Sequence, residues 1–97
     1  MDEALLDVSA RYIVQRNLSS NVEAATIRWG ANEGRLDLTY YTSVAPSGED
    51  EEWCEIAMTE LIAAFPDIRV ADTHLVKLGP EGPSVMEDAR LVFRKGH

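Results

Sequence analysis

Residues 36–68 read LDLTYYTSVAPSGEDEEWCEIAMTELIAAFPDI, and this stretch decides how the 97-residue chain is organised. It contains no lysine or arginine, and it carries eight carboxylates. The rest of the chain has nine acidic and nine basic residues, so the formal net charge of -8 comes from this stretch. Six of its acids fall between Glu49 and Glu60, in a segment that also has the apolar spacing of a helix.

The segment 49–64 is predicted to form an amphipathic helix. Apolar residues at spacings of three and four fall on one side of it: Cys54, Ala57, Met58, Leu61 and Phe65. Ser47 and Asp50 resemble a capping box at its start, although Asp reaches less far than the usual Glu or Gln. Pro66 ends the helix, because proline cannot donate a backbone hydrogen bond.

A first helix is predicted over residues 2–15. Its expected core side combines spacings of three and four: Leu5, Val8 and Tyr12, with Leu6 and Ile13 beside them. Asn17 is predicted to cap its C-terminal end.

Two strands, 22–29 and 35–42, follow with a period of two. The residues expected to face the core are Ala25, Ile27 and Trp29 in the first strand and Leu36, Leu38 and Tyr40 in the second. The turn between them contains Gly30 and Gly34, where we expect positive φ angles. This pattern predicts an antiparallel hairpin with one apolar and one polar side.

Two further strands are predicted over residues 68–78 and 89–94. In the third strand Val70 and Leu75 have opposite parity, so we expect a bulge near Asp72 or Thr73. The last strand alternates, with its apolar positions at Ala89, Leu91 and Phe93.

The element order is therefore α-β-β-α-β-β, in a single domain that spans residues 1–97. Two hairpins and two helices predict an α+β two-layer sandwich. In this fold a four-stranded, mostly antiparallel sheet carries both helices on one face.

Composition limits the classes of partner. An acidic chain lacks the lysines and arginines that contact phosphates, so we expect no direct binding to nucleic acid or to an anionic membrane. The acidic N-terminus is unlike a signal peptide, and no apolar run approaches the roughly 18 residues that span a bilayer. A single cysteine suits a reducing compartment, and we expect a soluble cytoplasmic protein.

The second helix is the predicted partner-binding surface. The residues assigned to it are Glu49, Asp50, Glu51, Glu52, Trp53, Glu55, Ile56 and Glu60. Acids near a helix N-terminus also stabilise the helix dipole and aid solubility, which is the alternative reading of this cluster. The acids lack lysines four residues further on, which favours docking of a basic partner. Trp53 has the alternative role of covering the edge of the core.

Candidates for chemistry are weak. Glu52 and Glu55 lie on adjacent turns, but no nucleophile or oxyanion element accompanies them, so we expect no catalytic residues. His74 and His97 are far apart, and Cys54 lies on the predicted core side, where a buried thiol is inert. We therefore expect no metal site and no cofactor.

Five arginines fall on the predicted strands: Arg28, Arg35, Arg69, Arg90 and Arg94. If they share the open face of the sheet, they form a basic stripe that receives an anion or a partner's acids. The alternative is that they pair with acids across the strands, namely Glu23, Asp37, Asp72 and Asp88.

A small acidic chain with this α/β order and no enzyme motif resembles bacterial immunity proteins of the contact-dependent growth inhibition type. The resemblance covers the whole chain and rests on size, charge and architecture, so it assigns no site residue. It implies a cytoplasmic antitoxin that blocks the nuclease domain of a secreted toxin. The physical logic fits, because a nuclease surface is basic and an anionic inhibitor can occupy it.

The predicted function is thus that of a small acidic immunity protein that neutralises a basic toxin domain by direct binding. Two alternatives stay open at this point. One is a homodimeric accessory domain that pairs through its open sheet face or an edge strand. The other is a small enzyme, and the sequence leaves the oligomeric state undecided.

Overall fold

The computed structural model describes residues 1–79 and 89–96, which form two helices and a four-stranded sheet. The elements are α1 (Glu3–Gln15), β1 (Val22–Gly30), β2 (Arg35–Thr42), α2 (Gly48–Ala64), β3 (Val70–Lys77) and β4 (Arg90–Arg94). The predicted order α-β-β-α-β-β and the α+β class are confirmed.

The sheet has the strand order β3-β2-β1-β4. The predicted hairpin of β1 and β2 is antiparallel, and β4 pairs antiparallel with the other edge of β1. The second predicted hairpin is wrong, because β3 and β4 lie at opposite edges and β3 runs parallel to β2. The parallel pairing results from α2, which connects β2 to β3. A helical connection of this length carries the chain back to the starting end of the sheet, so the next strand runs parallel to β2.

The core lies between the helices and one face of the sheet. The predicted inward residues of the hairpin are confirmed as buried, with Trp29 partly buried against them: Ala25, Ile27, Leu36, Leu38 and Tyr40. The predicted core side of α2 is confirmed too, from Cys54 through to Phe65. Burial raises the pKa of the Tyr40 hydroxyl, which donates to the Asn17 carbonyl oxygen at 2.6 Å.

The predicted core side of α1 is right for Leu6 and Ile13, which are buried, and wrong for Leu5, Val8 and Tyr12. Its buried residues are Leu6, Ala10, Ile13 and Val14. The predicted residues Leu5, Val8 and Tyr12 are instead 54%, 66% and 63% exposed. The two stripes are neighbours on the helix, and the buried one includes Ala10, whose small side chain carries little weight in a hydrophobic pattern. The chain therefore presents an apolar stripe to solvent.

The positions of irregular pairing in the two edge strands, β3 and β4, also differ from the prediction. β3 pairs with β2 residue by residue, without the bulge predicted near Asp72 or Thr73. Leu75 consequently packs against the core, while Val70 and Val76 are exposed on the other face. The pairing of β1 with β4 is irregular instead, with Val92 buried and Leu91 exposed, and the hairpin of β1 and β2 has a register shift between Val22 and Ala24.

The turn between β1 and β2 is fixed by Gly34. Its φ of 64° is the left-handed conformation that the sequence predicted, whereas Gly30 does not have a positive φ. The Gly34 carbonyl oxygen accepts from the Arg69 amide at 2.7 Å, at the point where the chain enters β3. A Cβ at this position would lie 3.0 Å from the Asp67 carbonyl oxygen.

Candidate partner-binding surface

The first turn of α2 is closed by the predicted capping box. The Asp50 amide donates to Ser47 Oγ at 3.4 Å, and the Asp50 carboxylate accepts from the Ser47 amide at 2.8 Å. The same carboxylate accepts from the Ser19 hydroxyl. Burial alone would raise the pKa of Asp50, but the hydrogen bonds from Ser19 and Ser47 lower it overall.

Asp50 therefore differs from the acids around it. Its side chain is fully buried, although the sequence placed it on the docking surface. The physical reason is the capping box itself, which turns the N3 side chain back towards the N-cap and the α1–β1 loop. As placed here, Asp50 stabilises the helix start and offers no charge to a partner.

Four other acids of α2 are exposed: Glu49, Glu51, Glu52 and Glu55. Within residues 1–79 and 89–96, none of the four has an ion-pair partner. The helix N-terminus favours the acids of the first turn, which offsets part of their mutual repulsion. The four form what we call the acidic face.

Glu60, at the other end of the predicted docking surface, is locally neutralised. It forms an ion pair with Arg16, the C-cap residue of α1, and its second oxygen accepts from Asn17 Nδ2 at 2.5 Å. Asn17 is itself buried just beyond the end of α1, where Nδ2 also donates to the Ile13 carbonyl oxygen at 2.8 Å. Glu60 therefore links the two helices.

The two apolar members of the predicted surface have different positions. Trp53 is partly buried and packs against the core, as its alternative reading proposed. Ile56 is 38% exposed, one helical turn beyond Glu52. Ile56 therefore places an exposed apolar side chain next to the acidic face.

An apolar groove runs between α1 and α2, with a volume of about 700 Å³. It is lined by Val8, Ser9, Tyr12, Ile13, Arg16, Glu60, Ala63 and Ala64. Sequence reasoning missed this groove, because it assigned Val8 and Tyr12 to the core. Two adjacent apolar stripes on α1 were the pattern that could have revealed it, since only one of them fits against the sheet.

The open face of the sheet carries a network of paired charges rather than a basic stripe. Arg35 bonds Asp72 at 2.6 Å and Asp37 at 3.2 Å, and His74 Nε2 lies 3.0 Å from Asp37. Burial raises the pKa of Asp37, but the hydrogen bonds from His74 and Arg35 lower it overall. The side chains surround a cavity of about 530 Å³ that also borders Arg28.

Arg90 is placed differently from Arg35. Arg90 pairs with Glu3 and Asp7 of α1, so it lies on the helical side of the sheet. Glu23 pairs with Lys95, and Asp88 lies outside the described residues. Arg35 therefore pairs with acids across the strands, as the alternative prediction proposed. The five arginines do not share one face of the sheet, because Arg90 lies on the helical side.

The described part of the chain offers no cluster of three or more His, Cys, Asp or Glu residues that could hold a metal ion. Cys54 is fully buried, and burial raises the pKa of its thiol to about 12. The ring of His74 bonds Asp37 on the open sheet face, and His97 lies outside the described residues. None of the described helices is long and apolar enough to cross a bilayer.

Comparison with known proteins decides the family. Residues 4–96 match the MafI2 immunity protein family. The chain belongs to this family. The match confirms the immunity-protein part of the resemblance that the sequence suggested. No curated protein matches the chain.

Two solved structures share the fold of this MafI2 family member. One is a crystal structure from Shewanella oneidensis, with a TM-score of 0.53, 10% identity, and coverage of 94% of this chain and 71% of that one. The other belongs to a complex of tri-AMPylated HEPN toxin with MNT antitoxin from the same organism. Its TM-score is 0.53 at 11% identity, and the alignment covers 95% of this chain and 72% of that one. At this identity the likeness shows the fold alone.

The MafI2 family member thus has two exposed features on its helical layer, the acidic face and the apolar groove. Of the eight residues predicted to bind a partner, five are exposed: Glu49, Glu51, Glu52, Glu55 and Ile56. Asp50 is buried, Trp53 is partly buried, and Glu60 is paired with α1.

Proposed function

We propose that this chain is an immunity protein that neutralises a basic toxin domain by binding it directly through the acidic face. The observation that carries the proposal is the state of Glu49, Glu51, Glu52 and Glu55. They are exposed, they lack ion-pair partners within the described residues, and their helix is held on its other side by the core. Fixed, unpaired charges of one sign steer an oppositely charged partner into contact.

The chemistry of the partner follows from the sign of this surface. A toxin domain that cleaves nucleic acid needs lysines and arginines at its phosphate-binding surface, so the same surface attracts carboxylates. We propose a nuclease domain as the partner, delivered by contact between cells and inhibited in the cytoplasm. In this proposal the chain is a non-enzymatic inhibitor, which acts by occupying the toxin surface.

Two observations support the proposal from outside the acidic face. The family is one of immunity proteins, and a chain with the same fold comes from a structure in which a toxin is bound by an antitoxin. Ile56 adds an exposed apolar side chain to the acidic face, and interfaces combine such contacts with a charged rim.

The test is the binding of charge-reversed variants to a toxin domain, which we would seek in the neighbouring gene because a toxin and its immunity protein are usually encoded together in the resembled class. We expect the triple variant Glu51→Lys, Glu52→Lys and Glu55→Lys to reduce the association rate at least about tenfold at low salt. The dependence of the rate on salt should weaken in parallel, because steering is screened by ions. Stopped-flow kinetics at several salt concentrations would measure both quantities, after circular dichroism has shown that the variant is folded.

A matched control compares a single charge reversal on the acidic face with a single charge reversal elsewhere on the chain. Glu52→Lys and Glu33→Lys change the net charge equally, but Glu33 lies in the β1–β2 turn, away from the start of α2. Only Glu52→Lys should slow association strongly. Equal effects of the two variants would show that net charge acts without a defined face, and unchanged binding of the triple variant would reject this surface.

A further inference from the structure

The starting observation is an apolar stripe that α1 leaves uncovered. Leu5, Val8 and Tyr12 are each more than half exposed and lie one or two helical turns apart on one side of the helix. Val8 and Tyr12 form one wall of the groove between the helices, and Ala63 and Ala64 of α2 contribute to the other. Contiguous exposed apolar surface on a soluble protein is typical of an interaction site.

The groove is continuous with the acidic face. Residues at spacings of three and four share one side of a helix, and such a series runs along α2 through Glu49, Glu52, Ile56, Glu60 and Ala63. Its last two members line the groove, while its first two belong to the acidic face. A partner that lies along this side of α2 therefore meets carboxylates first and apolar surface next.

The rim of the groove is held in place before any partner arrives. The Arg16 guanidinium lies 4.7 Å from the centre of the Tyr12 ring and forms an ion pair with Glu60. These contacts restrain the Tyr12 ring and pair the two charges at that end. A prearranged apolar pocket loses less conformational entropy when it is filled.

We infer that the groove receives apolar side chains from a cationic, amphipathic segment of the same toxin domain whose lysines and arginines contact the acidic face. The inference rests on the proposed function and adds to it the class of segment that is bound. The acidic face increases the association rate. Apolar side chains buried in the groove decrease the dissociation rate, as buried contacts do at interface hot spots.

Charge decides between this occupant and a second copy of the chain. A two-fold interface places the same surface of both copies together. Pairing through the groove would join two chains that each carry a net charge of -8. Repulsion between chains of like charge opposes such association, whereas a cationic segment is attracted to the acidic face.

The experiment combines binding of the neighbouring gene's toxin domain with cysteine footprinting. Tyr12→Ala and Val8→Ser remove groove contacts from exposed positions, so the fold should tolerate both, and Val76→Ser on the open sheet face is the matched control. In a second set, Val8→Cys and Val76→Cys are treated with N-ethylmaleimide, with and without the toxin domain. The native Cys54 gives little background, because it is fully buried and its pKa is about 12.

We expect Tyr12→Ala to raise the dissociation constant about tenfold or more, with the salt dependence unchanged, and Val76→Ser to have little effect. The toxin domain should slow modification of Val8→Cys about tenfold and leave Val76→Cys unchanged. Together these results would support the groove as the anchor site.

Two results would overturn the inference while leaving the proposed function intact. One is a salt-sensitive complex that the charge reversals weaken but the groove variants do not. The other is protection of Val8→Cys that appears without toxin as the chain concentration rises, since a second copy would then fill the groove. Absence of any complex between the chain and the toxin domain would overturn the proposed function, and the inference with it.

Discussion

Replacement of Asp50 by alanine is expected to destabilise the fold by about 2–4 kcal/mol. The carboxylate accepts from the Ser47 amide at 2.8 Å and from the hydroxyls of Ser47 and Ser19. A hydrogen bond to a charged group contributes about 1.5–3 kcal/mol, and loss of a helix cap costs about 0.5–2 kcal/mol. The three bonds share one carboxylate and are not additive, which sets the upper limit. A domain of this size is stable by only about 5–15 kcal/mol, so the loss is large.

Urea unfolding followed by tryptophan fluorescence, to which Trp53 three residues further along α2 and Trp29 of β1 both contribute, measures the effect. Glu51→Gln is the matched control, because Glu51 lies in the same helical turn but is exposed; its cost should stay below about 1 kcal/mol. If Asp50→Ala costs no more than Glu51→Gln, the buried carboxylate is not what holds the helix start.

The pH dependence of the same variant tests the cause. Because the folded-state pKa of Asp50 is lowered, its stabilisation is present above the ordinary pKa of about 3.9 and is lost as the pH falls through the lower folded value. The difference in unfolding free energy between wild type and Asp50→Ala should therefore shrink between pH 7 and pH 3. A constant difference would refute the assignment of the stabilisation to the ionised carboxylate.

Two further predictions concern the turn and the thiol. Gly34→Ala should destabilise the fold by about 1–2 kcal/mol in urea unfolding, since alanine is strained at a φ of 64° and its Cβ would crowd the Asp67 carbonyl. Gly30→Ala is the control and should cost less, because its Cβ would meet nothing closer than 3.8 Å. Equal costs of the two substitutions would contradict this account. Cys54 should react with Ellman's reagent only after urea unfolds the chain, because it is fully buried with a raised pKa; rapid reaction of the native protein would show that α2 opens.

Local patterns were enough to predict most of the elements. The capping box of Ser47 and Asp50, the apolar side of α2 and the inward residues of the hairpin are all confirmed, because each depends on residues close together in sequence. Strand pairing was harder, since periodicity within β3 and β4 does not encode which strand lies beside them. The 17-residue helix between β2 and β3 was the available evidence for parallel pairing.

The errors in predicting which helical residues are buried and which are exposed have one physical origin. A helical pattern shows which residues can share a side, but the direction in which that side faces depends on what packs against it. Leu5, Val8 and Tyr12 share a side that nothing in the described residues covers, and Asp50 shares a turn with exposed acids while its own side chain points inward. Neither orientation follows from spacing alone.

The division of the acids of α2 into buried and exposed members explains how one short helix can be both stable and strongly anionic. Asp50 uses its charge within the fold, where the helix N-terminus and three hydrogen bonds stabilise it. The exposed acids repel one another by about 0.2–0.5 kcal/mol for each close pair, a cost that the cap and the buried side of the helix readily offset. A cationic partner would remove this repulsion without any need to order the backbone of α2. In the proposed function the helix is therefore preorganised for a cationic partner, because its acidic side is held in place by the core before binding.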